Sequence, residues 1–358
     1  MASNSKQVLY MNPGQGETSY ARNSSIQKFE QNRMKPFIEA AVVDICTHIS
    51  TGKVLIADLG CSSGPNALAL VSIAIEAIHD YCLQFQQTPP EVCVLLNDLP
   101  NNDFNSVVKR LDTLRQSSNH HVVMTGITPG SFYQRLFTSG SMHLVCSSNS
   151  LHWLSQAPEV LTRNQISAYD IDEHARRERL PMILEAYAHQ FKKDFTLFLE
   201  LRAKELVPGG RLVISLPGRR SDEVSSKSIH LWETLAQILR VMALEGVIDK
   251  AKYDSFYVPM YGPSDQDLRE FIQYEGSFLI NEMHWHDLLS GFDNALITTS
   301  WFANHMRAAY EPIVVQHFEE VMDDFVMTAE RHWSKKGSMI DELSRSSIKL
   351  IIISLTRK

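Results

Sequence analysis

Seven short apolar runs, rich in β-branched residues and bounded by turn residues, recur along the chain. Runs of this length and composition are typical of buried β-strands. They predict strands at 54–59, 92–98, 121–126, 142–148, 210–217, 277–285 and 348–355.

Between the early runs, the apolar positions change to a helical period. In 67–82 they recur three or four residues apart, which predicts an amphipathic helix. A second helix is predicted at roughly 188–206, stopped by Pro208-Gly209-Gly210 before the next strand. Strands that alternate with helices indicate an α/β fold with a largely parallel, Rossmann-like sheet covered on both faces.

Two later stretches break this alternation. Residues 218–275 and 296–345 are helical in pattern and rich in aromatic residues and methionine. We expect an α-helical cap over the carboxyl edge of the sheet, where open α/β folds bind ligands. The predicted division is a Rossmann-like region with the N-terminal segment and part of the cap (1–216), a mainly helical region that also contains the strand near 277–285 (217–345), and a final strand (346–358).

Composition and charge narrow the range of partners. The 358 residues are 44% hydrophobic, which allows a sizeable core, and carry a formal net charge of −7. Without a basic surplus, neither nucleic acid nor an anionic membrane is an expected partner. The start, MASNSKQVLYMN, lacks the charged and apolar regions of a signal peptide, and no apolar run approaches the roughly 18 residues of a membrane span. We expect a cytoplasmic protein whose five scattered cysteines are reduced.

The sequence from Asp58 to Asn66, DLGCSSGPN, follows an apolar strand and precedes a helix. Its G-x-x-x-G spacing differs from a GxGxxG dinucleotide site and from a P-loop. An acidic strand end would repel phosphate and favour a cationic ligand such as S-adenosylmethionine (SAM), which carries an ammonium and a sulfonium. The next strand ends in Asp98, which can accept hydrogen bonds from both ribose hydroxyls of a nucleoside. The turn alone is often structural, but together with Asp98 it predicts a SAM site.

A family signature is carried by seven segments in order along the chain: MNPGQGETSYARNSSIQ (11–27), IADLGCSSGPN (56–66), LNDLPNNDFN (96–105), PGSFYQRLF (129–137), SSNSLHWLSQAP (147–158), LVPGGRLV (206–213) and MRAAYEP (306–312). Together they resemble the plant SABATH family of carboxyl and N-methyltransferases. That family includes salicylate, benzoate, jasmonate and indole-acetate methyltransferases and the enzymes of the caffeine pathway. The resemblance implies a class I SAM-dependent methyltransferase sheet of seven strands with a helical cap, and a homodimer.

The resemblance also implies roles for individual residues. Gln27 and Trp153 match the side chains that hold the substrate carboxylate. SAM-contacting positions are matched by Tyr20, Asn23, Ser24, Asp58, Asn66, Asp98, Leu99, Ser131, Phe132, Ser147 and Ser148. The rest of the acceptor pocket is matched by Asn12, Asn149, His152, Pro217, Leu231, Trp232, Met306 and Ile348. A magnesium site described in several members is matched by Asn164, Asp254, Phe256 and Tyr257.

Departures from the family pattern bear on specificity. Salicylate-type members carry a lysine, a tyrosine and a methionine where this chain has Asn12, Asn149 and His152. The pair His152-Trp153 is similar to jasmonate-type and some benzoate-type members. Tyr257 replaces the asparagine that is more usual at the magnesium site.

The chemistry expected of such a site needs no general base, because a carboxylate is already ionised near pH 7. The indole N–H of Trp153 and the amide N–H of Gln27 can position one oxygen of the acceptor while the other faces the methyl group. His152 then lines the pocket. The predicted reaction is methylation of a small aromatic or oxylipin-like acid to its methyl ester. The alternatives are N-methylation of a xanthine-like heterocycle and a non-catalytic protein that sequesters a ligand.

Overall fold

The computed structural model describes residues 9–48, 52–117, 122–222, 232–336 and 348–358. Seven strands lie within these ranges: β1 (Lys53–Leu59), β2 (Glu91–Asp98), β3 (Val122–Pro129), β4 (Met142–Ser148), β5 (Leu206–Gly218), β6 (Phe278–Asp287) and β7 (Lys349–Arg357). They form one sheet in the order β3-β2-β1-β4-β5-β7-β6. All seven predicted strands are confirmed.

Strands β1 to β5 pair in parallel, whereas β7 pairs antiparallel with both β5 and β6. Strand β4, in the middle of the sheet, is buried along its whole length. A strand covered on both faces has no solvent-facing side chains, which explains why its sequence does not alternate. The predicted largely parallel α/β sheet is therefore confirmed.

In the part of the chain that the structure describes, seven helices precede or connect the first five strands: α1 (Tyr20–Asn23), α2 (Ser25–Arg33), α3 (Lys35–His48), α4 (Ala69–Gln84), α5 (Phe104–Ser117), α6 (Glu159–Arg163) and α7 (Glu173–Glu205). The helix predicted at 67–82 is confirmed as α4, which continues a 3-10 turn at Pro65–Leu68. The second predicted helix, roughly 188–206, is confirmed at its end within one residue, but its predicted start was wrong. Helix α7 begins after its N-cap Asp172, contains Pro181, and ends before β5. Strand β5 starts at Leu206 and runs through Pro208-Gly209-Gly210, so these residues do not end the helix.

The helices predicted late in the chain are also found. Helices α8 (Glu233–Leu244), α9 (Lys250–Asp254) and α10 (Asp265–Glu275) lie between β5 and β6, and α11 (Thr299–Phe318) and α12 (Met322–Lys336) lie between β6 and β7. One hydrophobic cluster joins Leu212 and Ile214 of the sheet to Leu239, Phe302 and Trp333 of these helices. Burial of this shared apolar surface holds the late helices against the sheet.

The opposite face of the sheet is covered by α3, α4 and α5, whose apolar side chains pack on β1 and β2. The helical stretch Pro65–Gln84 meets the length and composition of a membrane span, with a mean hydropathy of 1.3. Half of that stretch is buried in this layer, and a core helix meets the same criteria, so it is weak evidence for a span. The expectation that no apolar run approaches the length of a span was nevertheless too strong.

Candidate active site

A cavity of about 810 Å³ opens at the carboxyl edge of the sheet. Its lining comes from the segment before α1, from α2, α7 and α11, from the loops after β1, β2, β3 and β4, and from the end of β5. Sites for small molecules typically enclose roughly 300–1,000 Å³. Asp98 and Phe132, predicted for SAM, share this lining with Gln27 and Trp153, predicted for the acceptor.

The turn after β1 is closely packed, and two glycines make that possible. Gly64 has a φ of +83°, and a Cβ atom there would lie 2.7 Å from Cα of Ala21 in α1. Gly60 has a φ of +76°, and a Cβ atom there would lie 2.2 Å from Oγ of Ser150. A side chain at either position would both strain the backbone and overlap a neighbour. Because neither position has a side chain, the turn can pack closely against α1 and the loop after β4.

Asp98, at the end of β2, has a fixed carboxylate. It accepts hydrogen bonds from the backbone N–H groups of Ser62 and Leu99, each at 2.7 Å. The neighbouring Asn97 donates to the carbonyl oxygens of Thr128 and Gly130, at 2.7 and 2.9 Å. These bonds hold the loop after β3, which carries Ser131 and Phe132, against the end of β2.

Two carboxyl groups stand at this half of the cavity, that of Asp98 in the lining and that of the buried Asp58 beside it. Burial first, and the charge of Asp98 second, raise the pKa of Asp58 to about 8. Burial raises the pKa of Asp98 to about 6, although the N–H groups of Ser62 and Leu99 act to lower it. Asp58 Oδ2 has no hydrogen-bond partner in the described part of the chain. A cationic ligand would stabilise the ionised form of both groups.

The predicted SAM positions divide into residues that line the cavity and residues behind them. Tyr20, Asn66, Asp98, Leu99, Ser131, Phe132 and Ser148 line it. Ser24 lies behind Asn66, whose amide donates to the Ser24 carbonyl oxygen and hydroxyl at 2.9 Å. Ser147 donates to the Leu59 carbonyl oxygen at 2.8 Å, and Asn23 donates to Glu17 and Ser19 carbonyl oxygens. Together with the buried Asp58, these residues stand outside the lining.

Most of the predicted acceptor positions also meet in the cavity: Gln27, Asn149, His152, Trp153, Pro217, Met306 and Ile348. Asn12 lies outside the lining, where its amide donates to Glu311 and to the Thr18 carbonyl oxygen. Trp232 is buried in the core and stacks on Tyr187 with ring centroids 4.6 Å apart. Leu231 lies outside the described residues.

Trp153 and His152 form part of an aromatic wall. The Trp153 ring lies 5.8 Å from Tyr310 and 5.6 Å from His152. The hydroxyl of Tyr133 donates to the Trp153 carbonyl oxygen at 2.8 Å, which fixes the backbone of the wall. Burial lowers the pKa of His152 to about 3, so its imidazole is neutral near pH 7.

Comparison with known proteins agrees with this geometry. A family model described as SAM-dependent carboxyl methyltransferase matches residues 6–358. The chain belongs to this family. It is 38% identical over 366 residues to the salicylate carboxymethyltransferase of Clarkia breweri, covering 99% of each chain. It is 37% identical over 376 residues to the probable jasmonic acid carboxyl methyltransferase 2 of Theobroma cacao, covering 98% of this chain and 99% of the relative.

A solved structure described as loganic acid methyltransferase with SAH superposes with a TM-score of 0.81 at 28% identity, covering 97% of this chain and 98% of the other. The family resemblance seen in the sequence is confirmed, and so is the class I methyltransferase fold. The protein is a SAM-dependent carboxyl methyltransferase, and SAM is its methyl donor.

Several lining residues of this methyltransferase were missed in the sequence. Glu30 and Gln31 face the cavity from α2, and His305 and Tyr310 face it from α11. The spacing of Gln27, Glu30 and Gln31 was the available signal, because residues three and four apart share one face of a helix. Tyr310 stands within MRAAYEP, but its part in the wall depends on packing that a sequence does not show.

The predicted magnesium residues do not fit a magnesium site. Mg²⁺ prefers six oxygen ligands and is usually bound through carboxylates. Asp254 is the one acidic residue of the predicted four, and the Phe256 side chain is buried. The Tyr257 hydroxyl donates to the Ile166 carbonyl oxygen at 3.0 Å, and the Asn164 amide donates to that of Val160 at 2.9 Å. Across the described ranges, no group of three His, Cys, Asp or Glu side chains could hold a metal.

Proposed function

We propose that this enzyme methylates the carboxylate of a small aromatic or oxylipin-like acid and releases the methyl ester. The observation that carries the proposal is the undivided cavity in which Asp98 and Phe132 face Gln27 and Trp153. The names of the relatives, which act on salicylate and jasmonic acid, support the same class of acceptor.

Positioning explains the catalysis. The indole N–H of Trp153 and the amide N–H of Gln27 donate to one carboxylate oxygen, which leaves the other oxygen free to face the methyl group. SAM supplies an electrophilic methyl carbon: the acceptor oxygen forms a bond to it as the bond from sulfur breaks, and the sulfur keeps the electron pair. Holding the reacting atoms in line at about 3–3.5 Å supplies much of the rate increase.

No proton moves in this reaction, so the residues around the acceptor need no base. The neutral His152 fits a wall that shields the carboxylate from water rather than a group that removes a proton. Asp58 and Asp98 hold the cationic donor through charge and, at Asp98, through the ribose hydroxyls.

The test is transfer of a labelled methyl group from SAM across a panel of benzoic, salicylic, jasmonic and indole-acetic acids and xanthines. We expect alkali-labile label in at least one acid and none in the xanthines. Alkali-stable label in a xanthine would contradict the proposal in favour of N-methylation. Tight binding of SAM and acid without transfer would indicate a sequestering protein.

We also propose that the enzyme is a cytoplasmic homodimer that binds neither nucleic acid nor membranes. The net charge of −7 argues against binding to nucleic acid or to an anionic membrane surface. The family resemblance supports the dimer, and light scattering of the purified protein tests it. A monomer at micromolar concentration would contradict the proposed dimer.

A further inference from the structure

Helix α2 places three polar side chains against the acceptor half of the cavity. Gln27, Glu30 and Gln31 are spaced three and four residues apart, share one helix face and line the cavity. The wall around them is largely apolar, with Met11, Pro217, Met260, Phe302 and Met306. Gln27 holds the acceptor carboxylate, whereas methyl transfer to that carboxylate needs nothing from Glu30.

Glu30 is a buried carboxyl group whose hydrogen bonding is half complete. It is 2% exposed, and its Oε2 accepts a hydrogen bond from the amide of Asn149. Its Oε1 is buried and has no partner within the described chain. Burial raises the pKa of Glu30 to about 8, against the lowering effects of the Asn149 amide and of the Arg33 charge.

Arg33, one turn further along α2, does not complete the bonding of Glu30. Its guanidinium donates to the carbonyl oxygens of Asp287 and Ser290 and lies over the Phe29 ring, 4.6 Å from the centroid. A buried polar atom without a partner is costly, and because Glu30 lines the cavity, a ligand group can supply the missing partner there.

We propose that Glu30 is a specificity-determining residue that pairs with a hydroxyl group on the acceptor acid. The inference rests on the proposed function and names the acceptor more closely, as a hydroxy acid. A hydroxyl group suits this position because it can donate to a carboxylate and accept from a protonated carboxyl group. Gln27 and Glu30 are three residues apart on the helix, with Cβ atoms about 5–6 Å apart. In the acceptor, the hydroxyl group that pairs with Glu30 is therefore separated by about the width of one ring from the carboxylate that Gln27 holds.

Asn149 is the positioning residue for Glu30. It has a φ of +52°, in the left-handed region that asparagine tolerates better than most residues. Its amide donates to Glu30 and lies 3.4 Å from the Ser148 hydroxyl. The end of β4 thus holds Oε2 of Glu30 and leaves Oε1 for the acceptor.

The experiment compares acids that differ only in a hydroxyl or a methyl group of similar size: 3- and 4-hydroxybenzoate with 3- and 4-methylbenzoate, and 4-hydroxycinnamate with 4-methylcinnamate. The readout is the ratio of kcat/KM within each pair. We expect the wild type to favour the hydroxy acid of at least one pair by about tenfold to a hundredfold, because its methyl analogue leaves a buried oxygen without a partner.

Three variants separate recognition from a structural role. Glu30→Leu should reduce the hydroxyl preference to about threefold or less, and Glu30→Gln should keep most of it because the amide still hydrogen-bonds. Glu39→Leu, an exposed change on α3, is the matched control and should leave the ratio unchanged. The ratio is measured within one protein, so a partial loss of folding does not move it.

Equal ratios in the wild type and in Glu30→Leu would overturn the inference. So would a wild type that favours the methyl acid in every pair. If Glu30→Leu does not fold, Glu30→Met takes its place with the same expected fall in the ratio, and an unchanged ratio in Glu30→Met overturns the inference. If the enzyme methylates acids but does not prefer those with a hydroxyl group, only this inference is refuted. If it methylates no acid, the proposed function itself is refuted.

Discussion

The affinity of the enzyme for SAM should increase with pH between pH 6 and 7.5. In the free protein the pKa of Asp58 is raised to about 8, so this carboxyl group is mostly protonated across that range. The cationic ligand favours the carboxylate, so binding at low pH must release a proton. SAM therefore binds more weakly as the pH falls below the raised pKa of Asp58.

One pKa unit corresponds to about 1.4 kcal/mol, so the change of about 1.5 pH units is worth about 2 kcal/mol, or roughly thirtyfold in Kd. Asp98, with a pKa of about 6, adds a smaller effect near the acidic end. The range stops at pH 7.5 because the α-amino group of SAM begins to lose its proton near a pKa of about 8.

Isothermal titration calorimetry measures both quantities, with Kd at each pH and proton release from two buffers of different ionisation enthalpy. In Asp58→Asn the dependence should shrink to about twofold, which is the share left to Asp98. Asp112→Asn, an exposed change on α5, is the matched control and should keep the full dependence. The reasoning is refuted if wild-type Kd is the same at pH 6 and 7.5 and no proton is released.

Three substitutions test other parts of the site. Asp98→Ala should weaken SAM binding by about 1.5–3 kcal/mol while the protein stays folded, and calorimetry that finds unchanged affinity would remove Asp98 from the site. His152→Gln should leave the pH dependence of turnover near pH 6.5 unchanged. A fall of several orders of magnitude in kcat with acceptor affinity intact would show that His152 takes part in the reaction. Asn149→Tyr should fill the pocket and shift kcat/KM toward benzoate over jasmonate by roughly tenfold to a few hundredfold, and an unchanged ratio would show that Asn149 does not set the pocket size.

The strands could be predicted from the sequence because short β-branched apolar runs between turn residues form buried strands far more often than any other structure. Helix α7 was placed only in part, since Pro181 and the charged residues before it conceal the helix that continues through them. The proline lacks a backbone N–H and is disfavoured within a helix, but here the helix extends on both sides of it. Tertiary packing against the sheet outweighs that local preference.

The site could be predicted where the backbone alone decides its position. Asp58 and Asp98 end neighbouring parallel strands, so they meet at one edge of the sheet. The predicted places of Asn12 and Trp232 depend instead on how their side chains turn, and these side chains turn toward Glu311 and Tyr187. Glu30 was missed because its importance comes from its pairing with Asn149, which is distant in sequence.

The central claim is that an acceptor carboxylate attacks the methyl group of SAM directly. The most direct measurement uses an accepted acid with ¹⁸O in both carboxyl oxygens together with SAM that carries a deuterated methyl group. Mass spectrometry of the ester should find both ¹⁸O atoms and the whole deuterated methyl group in the product. Loss of one ¹⁸O would mean that the carboxyl carbon is activated first, and loss of deuterium would mean that the methyl group does not move intact. Either result would contradict direct methyl transfer.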